Sequence, residues 1–194
     1  KLGLKGQTVY VDGSRSGVLV DTSKPQATGF EYADAVKRPK ELKAEVHHST
    51  TAGVYYRVIV GLLEDKPYEV FIDESESDIS GSGIVFKKGK GDYFFKKNDI
   101  TTNISNTMTD EQSTISRFIS MSLRHGTDIK YVVEQLRKAD GDMFSFSKSV
   151  ARVLKKYIPD GVEATVSCEE CGGTNVIFEE GCNKCLDCGH SACS

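Results

Sequence analysis

The stretch Val54-Tyr-Tyr-Arg-Val-Ile-Val-Gly-Leu-Leu63 decides the class of fold. Val54, Tyr56, Val58, Val60 and Leu62 recur at every second position, which places them on one face of an extended strand. Before it, Glu45–Thr51 alternates in the same period. After it, the turn Glu64-Asp-Lys-Pro67 leads to Tyr68, Val70 and Ile72 on another strand. A Ser/Gly-rich loop at 74–83 follows. Ile84-Val-Phe86 and Tyr93-Phe-Phe95 then flank Lys87-Lys-Gly-Lys-Gly-Asp92, the pattern of a hairpin.

The period then changes to that of a helix. Thr109-Asp-Glu-Gln112 is a capping box, in which the threonine oxygen and the glutamine amide satisfy first-turn donors. Ile115, Phe118, Ile119 and Leu123 form an apolar stripe, and Gly126 ends the helix. Thr127 is expected to cap a second helix with Ile129, Val132, Val133 and Leu136 inward. A third carries Val150, Val153, Leu154 and Tyr157 and stops before Pro159. Strands first and helices afterward predict an α+β domain over 42–160, an antiparallel sheet with helices packed on one face. The apolar helix residues are expected to be core, with no cofactor needed to explain them.

Working outward toward the start, residues 21–41 read as a linker, with Pro25, Gly29, Pro39 and scattered charges. Within residues 1–20, Thr8–Val11 can form one short strand before the turn Asp12-Gly13. Alone it would be marginal, so it reads as the closing strand of a structure whose other strands lie upstream. The chain starts at Lys1 in what reads as mid-motif, and is expected to be a fragment or one half of a split protein.

Working outward toward the end, residues 161–194 read as a cysteine-rich ribbon that holds all six cysteines. They occur as Cys168-Glu-Glu-Cys171-Gly-Gly and then Gly181-Cys182-Asn-Lys-Cys185-Leu-Asp-Cys188-Gly-His-Ser-Ala-Cys193. Two C-x-x-C pairs can complete a tetrahedral Zn-S4 site, and the 13 residues between Cys171 and Cys185 suit a ribbon loop. Secreted disulfide frameworks spread their cysteines through the fold instead. Six is two more than zinc needs. With Cys168, Cys171, Cys185 and Cys188 as ligands, Cys182 and Cys193 remain. With Cys168, Cys171, Cys182 and Cys185, the remaining pair is Cys188 and Cys193. Either way a dithiol is left on a glycine-rich tail, as a mobile redox carrier requires, unless the extra thiols are inert.

Composition narrows the classes. The 194 residues suit one ordinary domain with small appendages, and no apolar run approaches the ~18 residues of a membrane span. Metal-type cysteine spacing without a secretory signal favours the reducing cytoplasm. From Gly161 onward six acidic residues face one basic, Lys184, a balance of −5 that a Zn-S4 site would deepen. Such a ribbon repels phosphates, so nucleic acid is a disfavoured partner. The lysines 87, 88, 90, 96 and 97 among Phe86, Tyr93, Phe94 and Phe95 read as protection of an edge hairpin rather than a nucleic-acid surface. His47 and His48 point to opposite faces of a strand and make a poor metal pair; His125 suits a helix C-terminus. There is no P-loop, no G-x-G-x-x-G and no Ser-His-Asp pattern.

Three stretches, in order, carry a family resemblance. Leu4-Lys5-Gly6-x-Thr8-Val9-Tyr10-x-Asp12-Gly13-Ser14-Arg15 resembles the last strand of the catalytic barrel of adenosylcobalamin-dependent (class II) ribonucleotide reductases. Lys37-Arg-Pro-Lys-Glu-Leu42, Gly61-Leu-Leu-x-x-Lys66-Pro-Tyr-Glu-Val-Phe71 and Ile115-Ser-Arg-Phe-Ile-Ser-x-Ser-Leu-Arg124-His-Gly126 resemble the domain that follows it. The tail is similar to that family's Cys-rich zinc finger. Val11 departs from an expected arginine. Tyr10 stands alone, where tyrosyl-radical reductases place two tyrosines, and is read as core.

The resemblance implies the C-terminal region of a ribonucleoside-diphosphate reductase, which makes 2′-deoxyribonucleotides for DNA synthesis, with the barrel cysteines and adenosylcobalamin upstream. This region alone is expected to be inactive. Its tail would pass electrons from a thioredoxin-type reductant to the active-site disulfide through Cys182 and Cys193, or through Cys188 and Cys193, whose C-x4-C spacing resembles reductase tails in the broader family. The rival readings are a non-enzymatic zinc-ribbon interaction module and a nucleic-acid-binding ribbon.

Overall fold

The computed structural model describes residues 33–74, 79–139 and 146–192. The expected strand at Thr8–Val11, including Tyr10, most of the 21–41 linker, and Cys193 lie outside those residues.

Six strands build one antiparallel sheet: β1 (Glu41–Thr51), β2 (Val54–Leu63), β3 (Lys66–Glu74), β4 (Gly81–Gly89), β5 (Asp92–Lys97) and β6 (Ile100–Asn103), in the order β3-β2-β1-β4-β5-β6. The β1–β2 and β2–β3 hairpins close on two-residue turns with both φ values positive, Ala52-Gly53 (50°, 81°) and Glu64-Asp65 (52°, 60°). Such turns match the twist of the flanking strands. Among the described residues three helices follow, α1 (Asp110–Arg124), α2 (Ile129–Lys138) and α3 (Phe146–Leu154), the last running into a single 3-10 turn at Lys155–Tyr157. The α+β class expected from strands before helices is what forms.

The helices cover one face. Val58, Val60 and Leu62 of β2 and Val70 and Ile72 of β3 pack with Ile119, Val132, Val133, Val150, Val153 and Leu154 in one buried cluster. The opposite face is buried too, without helices. Ala44, Val46, Ile59, Phe71, Val85, Phe95 and Ile104 form a second cluster there. The sheet curls to make it: the ring centroids of Phe71 on β3 and Tyr93 on β5 lie 5.0 Å apart. In a flat sheet those strands would be about 19 Å apart.

The structure corrects the helix stripe. Phe118, expected in the core, is 61% exposed, whereas Ser116 and Ser120 are buried with Ile119. Small side chains let α1 lie close on β3, where the Val70 N–H donates to Ser120 Oγ at 2.9 Å. The cap of α2 is Asp128, whose side chain accepts from the Lys130 N–H, and not Thr127. The capping box at Thr109 and Gln112 forms with both reciprocal bonds.

The cysteine-rich segment adds a second sheet of β7 (Val176–Glu179), β8 (Cys182–Cys185) and β9 (Ser191–Ala192). It has little interior of its own, and Val176, Phe178, Cys168 and Cys185 belong to the same buried cluster as α3. The ribbon is therefore docked on the helical face. Each buried Val or Phe contributes about 1.5–3 kcal/mol to that docking.

Candidate metal centre

Two matching turns present the sulfurs. In the first, the Gly172 N–H donates to the Cys168 carbonyl at 2.9 Å and the Cys168 N–H to the Gly173 carbonyl at 2.8 Å. In the second, the Gly189 N–H donates to the Cys185 carbonyl at 3.0 Å and the Cys185 N–H to the His190 carbonyl at 2.8 Å. Gly172 (φ 71°) and Gly189 (φ 76°) occupy the left-handed region that closes each turn, so glycine follows each C-x-x-C for a conformational reason. The Gly173 N–H points at Cys171 Sγ, 3.4 Å away.

The turns converge on one point. Cys168 Sγ lies 3.6 Å from Cys188 Sγ, Cys171 Sγ lies 3.6 Å from Cys185 Sγ, and all four sulfurs lie within 4.8 Å of one another. All four are free thiols. A tetrahedral ion with ~2.3 Å bonds to sulfur separates its ligands by about 3.8 Å, so the spacing fits such an ion and is far too long for a disulfide. Cys168 and Cys185 are buried and Cys171 and Cys188 exposed, so the centre lies at the boundary between ribbon core and solvent.

Packed together, the thiols ionise unequally, because the same neighbours that favour the thiolate at Cys168 disfavour it at Cys188. The Cys171 N–H, followed by other donors, draws Cys168 down to about 7. At Cys188 the His190 N–H acts downward, but hydrogen bonding with Cys171, burial, and the other two thiols outweigh it and push the group up to about 12. A bound cation removes this conflict by stabilising thiolates together. The four-cysteine cluster is thus able to hold a metal ion.

Cys182 is half-buried at the start of β8 and is disulfide-bonded, outside the four-sulfur cluster. Cys193 lies outside the described residues. The stretch expected to be a free tail is ordered through Ala192: Ser191 pairs with Lys184 and Ala192 with Asn183. His47 and His48 do point apart: His47 Nε2 lies 2.6 Å from the Tyr157 hydroxyl, and His48 Nε2 lies 2.8 Å from the Ile79 carbonyl. His125 is the C-cap of α1. On the β4–β5 hairpin, Lys88 Nζ sits 4.1 Å from the Phe94 ring centroid and Phe86 stacks on Phe94, so lysine covers the aromatic surface.

Two features escaped the sequence reading. One is a buried charge cluster: Glu69, 0% exposed, receives Arg38 and Arg124 together. Its three residues come from the three family-like runs of the middle domain, which is the signal that could have linked them. The other is Lys155, 2% exposed, with its amine drawn down to about 8 by burial and then by Arg137. It follows Ala151 of α3 by four residues, at the start of the 3-10 turn that continues the helix's inward side, an unusual place for a lysine.

A curled antiparallel sheet with helices on one face and a docked four-cysteine ribbon defines an α+β protein with an appendage able to hold a metal ion. A family model described as the NrdJ homologue C-terminal domain matches residues 42–159, more than half of the chain, and the chain belongs to that family. The match supports a relation to the C-terminal region of class II ribonucleotide reductases. No curated protein and no solved structure matches the chain. No helix among the described residues is long and apolar enough to cross a membrane.

Proposed function

We propose that this chain is the C-terminal region of an adenosylcobalamin-dependent ribonucleotide reductase, and that its ribbon carries electrons to an upstream active site. Zinc is the ion this reading assigns to Cys168, Cys171, Cys185 and Cys188. The observation that carries the proposal is the separation of the cysteines into a compact four-sulfur set and a remainder, Cys182 and Cys193.

The alternative redox pair, Cys188 with Cys193, is disfavoured because Cys188 Sγ sits 3.6 Å from Cys168 Sγ within the cluster. The register of β8 and β9 favours Cys182 as the partner. Asn183, which follows Cys182 in the chain, pairs with Ala192, the residue before Cys193 in the sequence. The disulfide at Cys182 agrees with a dithiol that cycles.

In the proposed step, one thiolate of the pair attacks a sulfur of the active-site disulfide and forms a mixed disulfide. The second thiolate then resolves it. The active site leaves as a dithiol, the ribbon keeps the disulfide, and two electrons have moved. A thioredoxin-type dithiol restores the ribbon by the same exchange. Adenosylcobalamin would supply the radical chemistry in the barrel. The cysteines that reduce substrate would lie upstream, because all six here are in the ribbon. The chain alone is accordingly expected to be inactive and cytoplasmic.

Thiol counting tests the reading. In the oxidised, zinc-loaded chain no thiol outside the metal set should titrate. Treatment with reduced thioredoxin should expose Cys182 and Cys193 while zinc is retained. A zinc-loaded chain whose remaining thiols never cycle between these states would be a structural ribbon instead, as an interaction module requires.

A further inference from the structure

Positive charge collects beside the ribbon, against the acidic background of its sequence. A cavity of about 510 Å³ between helices α2 and α3 and the ribbon is lined, among the described residues, by Arg137, Lys148, Arg152 and Lys155, against one carboxylate, Glu169. All four cations come from the helical segment. Arg152 is already engaged with the hydroxyls of Thr51 and Ser149.

Two lining residues are buried with a polar atom that has no hydrogen-bond partner. They are Lys155, 2% exposed, at Nζ, and Asn183, 8% exposed, at Oδ1. Lys155 Nζ lies 5.9 Å from the Phe178 ring centroid, a distance at which a cation–π contact is weak. A desolvated ammonium without an acceptor costs free energy that an anion would recover, and an amide oxygen without a donor is satisfied by a hydroxyl. The two demands occur in the same cavity, on facing elements.

We propose that this cavity binds a phosphorylated small molecule that also bears a hydroxyl, with Lys155 and Arg137 taking the phosphate and Asn183 accepting from the hydroxyl. Lysine supplies a mobile point charge, and its four-carbon stem lets Nζ swing from the wall toward a ligand. Arginine supplies the fork that matches phosphate oxygens. The volume leaves room beyond a phosphate, and Ala151, Val166 and Val176 give that room an apolar wall. A sugar phosphate and a nucleoside phosphate share this chemistry. The proposal needs a folded ribbon but not the redox role of Cys182 and Cys193.

Cys168 and Cys185 line the same cavity, so the cations could instead balance a metal–thiolate centre. Calorimetric titration of the zinc-loaded chain separates the two, with inorganic pyrophosphate and ribose 5-phosphate as probes and zinc content measured in parallel. Saturable binding of both is expected. Lys155→Met and Arg137→Gln should each weaken it by about tenfold or more while zinc content stays unchanged. Lys155→Met removes a buried charge and should keep the fold; Arg137→Gln provides an independent variant. Asn183→Ala should weaken ribose 5-phosphate and spare pyrophosphate, and the exposed Lys43→Gln should change neither. Absence of saturable binding would overturn the site, as would unchanged affinity in both cationic variants or an equal loss in Lys43→Gln. Zinc loss in Lys155→Met with no phosphate effect would assign the lysine to the metal centre instead.

Discussion

Arg38 holds Glu69 in a two-point grip, Nε to Oε2 at 2.8 Å and Nη2 to Oε1 at 2.6 Å, with the carboxylate fully buried. Arg124 at the end of α1 adds a third bond to Oε2 at 2.7 Å. The segment before β1, strand β3 and helix α1 are thereby tied at one carboxylate. Gly61 belongs to the same arrangement, because a Cβ there would lie 2.7 Å from Glu69 Cγ. Glu69→Ala strands two arginines beside apolar neighbours and should destabilise the domain by about 3 kcal/mol in denaturant titration. Gly61→Ala should be costly alone and much less so in the Glu69→Ala background. Additive effects of the pair would contradict the contact.

Helix α1 offers a contrast between adjacent residues. Ile119 is 5% exposed and Phe118 61% exposed. Ile119→Ala should lose about 2–4 kcal/mol, whereas Phe118→Ala should stay within about 0.5 kcal/mol. Equal losses would restore the sequence-based stripe.

His47 should impose a pH dependence on stability. Burial, then the charge of Lys156, lowers its pKa from the ordinary 6.5, against the opposing pull of Glu45. Tyr157 donates to Glu45 Oε2 at 2.6 Å, so His47 Nε2 is the donor to the phenol oxygen. The unfolded chain binds the proton more readily than the folded one. Stability from this group is therefore complete above pH 6.5 and is lost as pH falls through the lower folded pKa. The stability difference between the parent chain and His47→Gln should shrink as pH falls below 6.5. A difference that grows on acidification would reverse the sign of the shift.

Zinc content reports on the four-sulfur cluster. Cys168→Ser should lose the metal. Stability of the α2–α3 face should fall with it, since Val176 and Phe178 share the cluster of Val150 and Leu154. Retained zinc would exclude Cys168 from the ligand set. Unchanged stability of the helices would show the ribbon to be independent of them.

Local features were the legible ones. Alternation in β2, the Thr109 capping box and the C-x-x-C-Gly turns each depend on residues close in sequence, so period and spacing expose them. The second buried face depends on sheet curl that brings Phe71 to Tyr93, a contact no local period encodes. On α1 only Phe118 leaves the expected stripe: Ile115 and Leu123 pack against the core with Ile119, and Ser116 and Ser120 complete the buried face because their small size lets the helix sit against β3. Nothing near Lys155 in the sequence marks it as buried, because burial of a lysine is set by its neighbours in space. The ordered strand at Ser191–Ala192 was hidden by small residues that suit a flexible tail equally well.

The most direct test of the proposed function is turnover of the reductase to which that proposal assigns this chain, carrying Cys193→Ser. With a thioredoxin-type protein as reductant, the variant should complete about one turnover per active site and stall, because the active-site disulfide can no longer be reached by exchange. A small dithiol that diffuses into the site should restore cycling. Normal cycling of Cys193→Ser with the protein reductant would contradict the electron-carrying role of the ribbon.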